Sequence, residues 1–256
     1  MKVVLFCGGL GSRIREYSES IPKPMVPVGH QPIMCHVMQY YSQYGHDDFI
    51  LCLGYKGEMI KQYFSDFHYY NSDLIISLKD GGRKAISRGL PDWRVHCVDT
   101  GLETMTGGRL SRLRGALGQE TFMCTYGDGL SDVPIEKLVA FHKSHGKLAT
   151  VTAVHPPARF GLIELAGDTV SKFSEKPQTG RDWINGGFFV FEPGLLDYVE
   201  GPESSLERDV LERVAADGQL MAFRHDGFFQ PMDTLRERQQ LEDLWRSGDA
   251  PWAAKQ

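Results

Sequence analysis

Val3-Val4-Leu5-Phe6-Cys7-Gly8-Gly9-Leu10-Gly11-Ser12-Arg13, near the start of the chain, decides the fold class. Five apolar residues in a row, without alternation, suit a strand buried on both faces. The glycines that follow end the strand in a tight loop. Outward from there, Ile33–Tyr44 has helical spacing and stops at Gly45. Phe49–Leu53 is a second apolar run stopped by Gly54, and Lys56–Phe64 has helical spacing again. Strand, loop, helix, strand, helix is the order of an α/β protein with a Rossmann-like, doubly wound, mostly parallel sheet.

The rest of the chain extends that pattern. Phe67–Pro91 mixes aromatics, the apolar run Leu74–Leu78 and the polar segment Lys79–Gly89, and reads as an excursion with one strand and a mobile loop. Arg94–Asp99 is a strand, Gly107–Leu117 a helix, and Thr121–Thr125 a buried strand ending at Tyr126-Gly127-Asp128-Gly129. Ile135–His145 is a helix and Ala149–Val154 a strand. Beyond Pro156-Pro157, Leu162–Leu165 and Thr169–Ser174 flank Gly167-Asp168, which predicts a hairpin and a small β-rich insertion region. Gly187–Phe191 and Leu220–His225 read as strands, Leu206–Ala216 and Thr234–Ser247 as helices. With no internal repeat and no linker, residues 1–256 are expected to form one domain.

Composition narrows the function. Lys plus Arg total 28 and Asp plus Glu 33, a net charge of −5, which argues against a nucleic-acid partner. No apolar run approaches the length of a membrane span, and the start of the chain lacks the apolar stretch of a signal peptide, so no membrane association is expected. Cys7, Cys35, Cys52, Cys97 and Cys124 are odd in number and form no C-x-x-C pair. They read as buried small hydrophobes in a cytoplasmic protein rather than as disulfides or zinc ligands.

Four segments carry chemistry. Gly8-Gly9-Leu10-Gly11-Ser12-Arg13 fits neither G-x-G-x-x-G, since Ile14 stands at the last position, nor the Walker pattern. Closely spaced glycines after a strand still let backbone N–H groups approach an anion, although a plain tight turn would look the same. Residues 1–25 hold four basic side chains (Lys2, Arg13, Arg15, Lys23) against two acidic ones (Glu16, Glu19). Pro22 and Pro24 hold Lys23 on a rigid segment, where it can serve as a fixed cation for phosphates. Asp128 ends a buried strand, where open α/β sheets bind ligands, and its hard oxygens suit Mg²⁺. Asp233, in Pro231-Met232-Asp233-Thr234, reads equally as a helix N-cap and as a second Mg²⁺ ligand. Glu175-Lys176-Pro177 and Asn185-Gly186-Gly187 read as a surface ion pair and a turn, or as contacts for a sugar phosphate.

Taken in order, Gly8–Arg13, Pro22–Met25, Tyr126–Gly129, Glu175–Pro177, Ile184–Gly187 and Pro231–Thr234 resemble the sugar-1-phosphate nucleotidyltransferases. Val98–Gly101, Thr104–Leu110, Phe141–Val154, Trp183–Phe189 and Gln230–Arg236 resemble more closely the branch that makes CDP-glucose from CTP and glucose 1-phosphate. The likeness runs from residue 1 to Trp252. It implies that residues 1–155 are the nucleotide-binding part and 156–256 the sugar-phosphate-binding part with a closing helix. It implies that Phe6, Cys7, Gly8, Gly9, Leu10, Gly11, Ser12 and Arg13 hold the nucleotide, with Lys23, Thr104 and Arg109. Arg13, Lys23, Asp128 and Asp233 would be catalytic, Asp128 and Asp233 as ligands of Mg²⁺, the implied cofactor. Glu175, Lys176, Asn185 and Gly187 would hold the sugar phosphate, and the chain would form a homo-oligomer. A related transferase using another sugar phosphate or another NTP, and a non-catalytic regulator on the same fold, are the alternatives. A retaining glycosyltransferase would need a second Asp where Leu130 stands.

Overall fold

The computed structural model describes residues 1–11, 14, 17, 19–87, 89–156, 162–174 and 182–253. The main-sheet strands and the two strands beside them are β1 (Val3–Phe6), β2 (Asp48–Leu53), β3 (Arg94–Asp99), β4 (Phe122–Tyr126), β5 (Gly129–Ser131), β6 (Ala149–Val154), β7 (Ile184–Phe191), β8 (Leu220–His225) and β9 (Phe229–Pro231). The helices that matter below are α1 (Ile33–Ser42), α2 (Gly57–Ser65), α3 (Thr106–Ser111), α4 (Ile135–His145) and α5 (Leu235–Ser247). Seven strands form one sheet in the order β8-β6-β7-β4-β1-β2-β3. Only β7 runs against its neighbours; the other pairings are parallel. The α/β, mostly parallel sheet read from the sequence is the observed one.

The unbroken apolar runs are explained by coverage on both faces. Val3 and Leu5 of β1 enter one core with Met34, Met38, Phe49 and Leu51, while Val4 and Phe6 enter the other with Ile50, Cys52, Leu110 and Phe189. Alternate side chains of a strand point to opposite faces, so a strand covered on both sides needs apolar residues at every position. Cys7, Cys35, Cys52 and Cys124 are buried and Cys97 is half-buried, and all five are free thiols.

Three readings need correction. Lys79–Gly89 is not one loop: Arg83–Ser87 forms a strand antiparallel to Ser72–Ile76, closed through Ser77 and Gly82. Its polar, exposed composition hides the strand from periodicity arguments. Gly107–Leu117 is broken into α3 and a short helix at Arg114–Leu117. The Leu206–Ala216 helix begins as π-helix over Leu206–Leu211 and continues as α-helix over Glu212–Ala216. The hairpin at Leu162–Ala166 and Thr169–Ser174 forms as expected. Among the described residues no helix is long and apolar enough to cross a membrane.

One buried histidine makes the fold pH-sensitive. His36 of α1 places Nε2 2.8 Å from the Val28 carbonyl, and its Nδ1 accepts from the Trp252 indole N–H at 3.2 Å. Both contacts suit a neutral ring with the proton on Nε2. Burial, above all, lowers the pKa of His36 to about 4. The unfolded chain takes up this proton near pH 6.5 and the folded chain only near pH 4. Stability from this group is therefore intact above pH 6.5 and lost as pH falls toward 4, by up to about 3 kcal/mol. Urea unfolding at pH 7 and pH 4.5 checks this. The acid-induced loss should shrink in His36→Gln, whose amide keeps one donor and one acceptor; equal losses in both proteins would refute it.

Candidate active site

The chain leaves β1, builds β2 and β3 on one side, then crosses back to place β4 on the other. The gap between β1 and β4 is therefore the switch point of the sheet, where open α/β folds bind ligands. A cleft of about 600 Å³ opens there. Phe6, Gly8, Gly9 and Gly11 line it from the first loop, and Lys23 and Pro24 from the next. Thr104 lines it from the segment leading into α3 and Arg109 from α3 itself, and Asp128 and Asp233 line it as well.

Lys23 joins the two aspartates of its lining. Pro22 precedes a single 3₁₀ turn, Lys23–Met25, which presents the lysine on short, rigid backbone. Its Nζ lies 2.6 Å from Asp128 Oδ2 and 2.6 Å from Asp233 Oδ1. Burial pulls the lysine pKa down, but the two carboxylates, Asp128 foremost, outweigh it and hold it above the ordinary value. The ammonium is charged at any physiological pH.

Two aspartates 105 positions apart meet because β5 pairs antiparallel with β9, Gly129 opposite Pro231 and Ser131 opposite Phe229. The Met232 N–H donates to the Asp128 carbonyl at 2.9 Å, closing the ladder beside both side chains. A side chain at Gly127 would be crowded: a Cβ would lie 3.0 Å from Cys7 Sγ, 3.1 Å from the Phe6 carbonyl and 3.3 Å from Pro24 Cβ. The cap question at Asp233 is also answered. Thr234 caps α5, accepting from the Glu237 N–H, and Glu237 in turn accepts from the Asp233 N–H at 2.8 Å. The Asp233 carboxylate is thus turned to Lys23 rather than to the helix.

Arg109 occupies the cleft wall as a clamp. Its guanidinium donates to the carbonyls of Leu53 (2.9 Å), Gly8 (3.2 Å) and Leu102 (3.3 Å) and to Thr100 Oγ1 (2.7 Å). It joins the ends of β1, β2 and β3 beneath the glycine loop. Gly8 has no room for a side chain against it, since a Cβ would fall 2.2 Å from Nη1. At Gly9 the same Cβ would meet nothing within 4 Å, so the space there belongs to the cleft. Leu10 is exposed and Cys7 lies buried beneath the loop; neither lines the cleft.

Asn185 and Gly187 lie on β7, behind Tyr126 rather than on the cleft wall. A bulge in the β6–β7 pairing lets the strand turn toward Tyr126. Gly187 has φ +76°, and a Cβ there would come within 2.4 Å of the Tyr126 ring. Ser12, Arg13, Glu175 and Lys176 lie outside the described residues. Sequence reasoning did not assign Met105, Thr106, Tyr126, Ser205, Glu207 or Arg208, which also line the cleft. Tyr126 stood inside a quoted motif. Nothing local to Ser205–Arg208 tells that segment from the start of any surface helix.

Both carboxylates lie within hydrogen-bond reach of one point, and they are partly exposed, at 26% and 21%. Two converging hard oxygen donors fit Mg²⁺, which takes few protein ligands and completes its shell with phosphate and water oxygens. Among the described residues no group of three or more His, Cys, Asp or Glu is arranged to hold a metal unaided.

Residues 2–234 match the nucleotidyl transferase family, and the chain belongs to it. Within that family, the chain is 45% identical over 253 residues to the glucose-1-phosphate cytidylyltransferase of Salmonella typhimurium strain LT2, covering 98% of each chain. The solved structure of HddC from Yersinia pseudotuberculosis has the same fold, with a TM-score of 0.67 at 21% identity, over 95% of this chain and 99% of that one. So has the UDP-glucose pyrophosphorylase of Acinetobacter baumanii, with a TM-score of 0.66 at 17% identity, over 94% and 91%.

Proposed function

We propose that this protein transfers the cytidylyl group of CTP to α-D-glucose 1-phosphate, giving CDP-glucose and pyrophosphate. The likeness to the Salmonella enzyme over nearly the whole of both chains carries the choice of substrates. The convergence of Lys23, Asp128 and Asp233 on the glycine-lined cleft supports the chemistry.

The reaction needs no general base. A phosphate oxygen of the sugar phosphate is anionic at neutral pH and attacks the α-phosphorus of CTP; the bond to the β-phosphate oxygen breaks and pyrophosphate leaves with the electron pair. Catalysis is positioning and charge neutralisation. The glycine loop, with Arg13, holds the triphosphate, and Arg109 keeps that loop in place. Lys23 neutralises charge that develops on the transferring phosphate. Asp128 and Asp233 would hold Mg²⁺, which supplies Lewis-acid neutralisation of phosphate charge when bound. Glu175, Lys176, Asn185 and Gly187 form the sugar-phosphate side. The five free thiols suit a cytoplasmic enzyme. The exposed Leu74, Ile75, Ile76, Leu78 and Ile86 give a homo-oligomer apolar surface to bury.

Base choice provides the test. Cytosine carries an exocyclic amine that uracil lacks, and a site that accepts from it is left unmatched by UTP. That costs about 1–3 kcal/mol, or roughly ten- to a hundredfold. In a competition assay containing glucose 1-phosphate and CTP, UTP, dTTP, ATP and GTP together, CDP-glucose should dominate the products resolved by mass. Dominance of a UDP-, dTDP- or purine-sugar would replace this reading with that of a related transferase.

A further inference from the structure

We propose that Glu207 is a positioning residue that sets the sugar-phosphate side of the cleft through Tyr126 and Gly187. This rests on the functional reading above for the identity of the substrate. Glu207 reaches the cleft from the first turn of the π-helical segment Leu206–Leu211, an irregularity often found at functional sites. Three hydroxyls converge on its carboxylate. Thr106 Oγ1, from α3, donates to Oε2 at 2.8 Å, and Ser205 Oγ donates to the same oxygen at 2.8 Å. The Tyr126 hydroxyl, at the end of β4, donates to Oε1. Thr106 is itself fixed, because its Oγ1 accepts from the Leu206 N–H at 2.8 Å.

The direction of these bonds is what matters. An ionised carboxylate only accepts, so it forces each hydroxyl proton toward itself. With its proton committed to Glu207, the phenol anchors the Tyr126 ring at one place on the cleft wall. On the strand, Asn185 Oδ1 accepts the Gly187 N–H at 2.8 Å. The run of contacts from Glu207 through Tyr126 to Gly187 and on to Asn185 is therefore continuous. It joins the cleft wall near Thr106 to the two β7 residues placed on the sugar side. Tyr126 also packs on Gly187, so the orientation of the ring and of the strand are set together.

Glu207→Gln tests this, because glutamine keeps the volume but offers one acceptor oxygen and a donor of its own. The KM for glucose 1-phosphate should rise about tenfold, with kcat and the KM for CTP changed less than about twofold. Tyr126→Phe should give the same split, and the double variant should be no worse than the worse single, since both act on one chain. Equal rises in both KM values, or losses that multiply in the double variant, would overturn the proposal. A readout without substrate separates its failure from that of the functional reading. The backbone ¹⁵N amide resonance of Gly187, which packs on Tyr126, should shift in both variants, and an unchanged resonance would also overturn it. Absence of CDP-glucose formation by the unmodified protein would instead count against the functional reading. Tyr126→Phe, which removes one oxygen, carries the test if Glu207→Gln does not fold.

Discussion

Asp128→Asn and Asp233→Asn are each expected to lower kcat by at least about 100-fold at saturating Mg²⁺. Each change keeps side-chain size and removes one of two converging negative charges. Lys23 Nζ lies 2.6 Å from an oxygen of either aspartate, so either variant leaves one ion pair and the fold should persist. The loss should therefore appear in turnover rather than in melting temperature. An amide oxygen is a far weaker ligand for a hard divalent ion than a carboxylate, and a metal-assisted transfer relies on that ion to neutralise phosphate charge. Initial rates over a Mg²⁺ titration, alongside thermal melts, provide the measurement. Near-normal turnover in either variant would refute the assignment of both aspartates as metal ligands.

Lys23→Ala and Lys176→Ala are expected to fail in different ways. Lys23 is held in the cleft by a 3₁₀ turn between prolines and carries its charge at any physiological pH. It neutralises two carboxylates in the free protein and is placed to neutralise phosphate charge that grows during transfer. Its removal should mainly cut kcat, by about 100-fold or more. Lys176 follows the predicted hairpin, on the sugar side of the sequence, and its removal should mainly raise the KM for glucose 1-phosphate. Full steady-state kinetics in both substrates separate the two effects. If Lys176→Ala weakened CTP alone, or if Lys23→Ala changed only a KM, this division of labour would be wrong.

The amino-acid sequence by itself determined the sheet class, most of the strands and the small set of charged residues at its switch point. Those signals are local. A five-residue apolar run, a glycine cluster or a lysine between prolines constrains the backbone within a few residues, whatever the rest of the chain does. The tertiary structure decided what depends on distance. Asp233 reads equally as a cap and a ligand in the sequence; in the fold Thr234 takes the cap, and the pairing of β9 with β5 brings Asp233 beside Asp128. Arg109 turned out to brace the glycine loop because the ends of three strands supply it with carbonyls. Glu207, Tyr126 and Thr106 stand 81 and 101 positions apart in the chain, so no spacing rule connects them. The polar strand Arg83–Ser87 escaped because a two-stranded hairpin with no covered face has no reason to show an apolar period. Local chemistry is written residue by residue, whereas a site built from remote segments exists only once the sheet has brought their ends together.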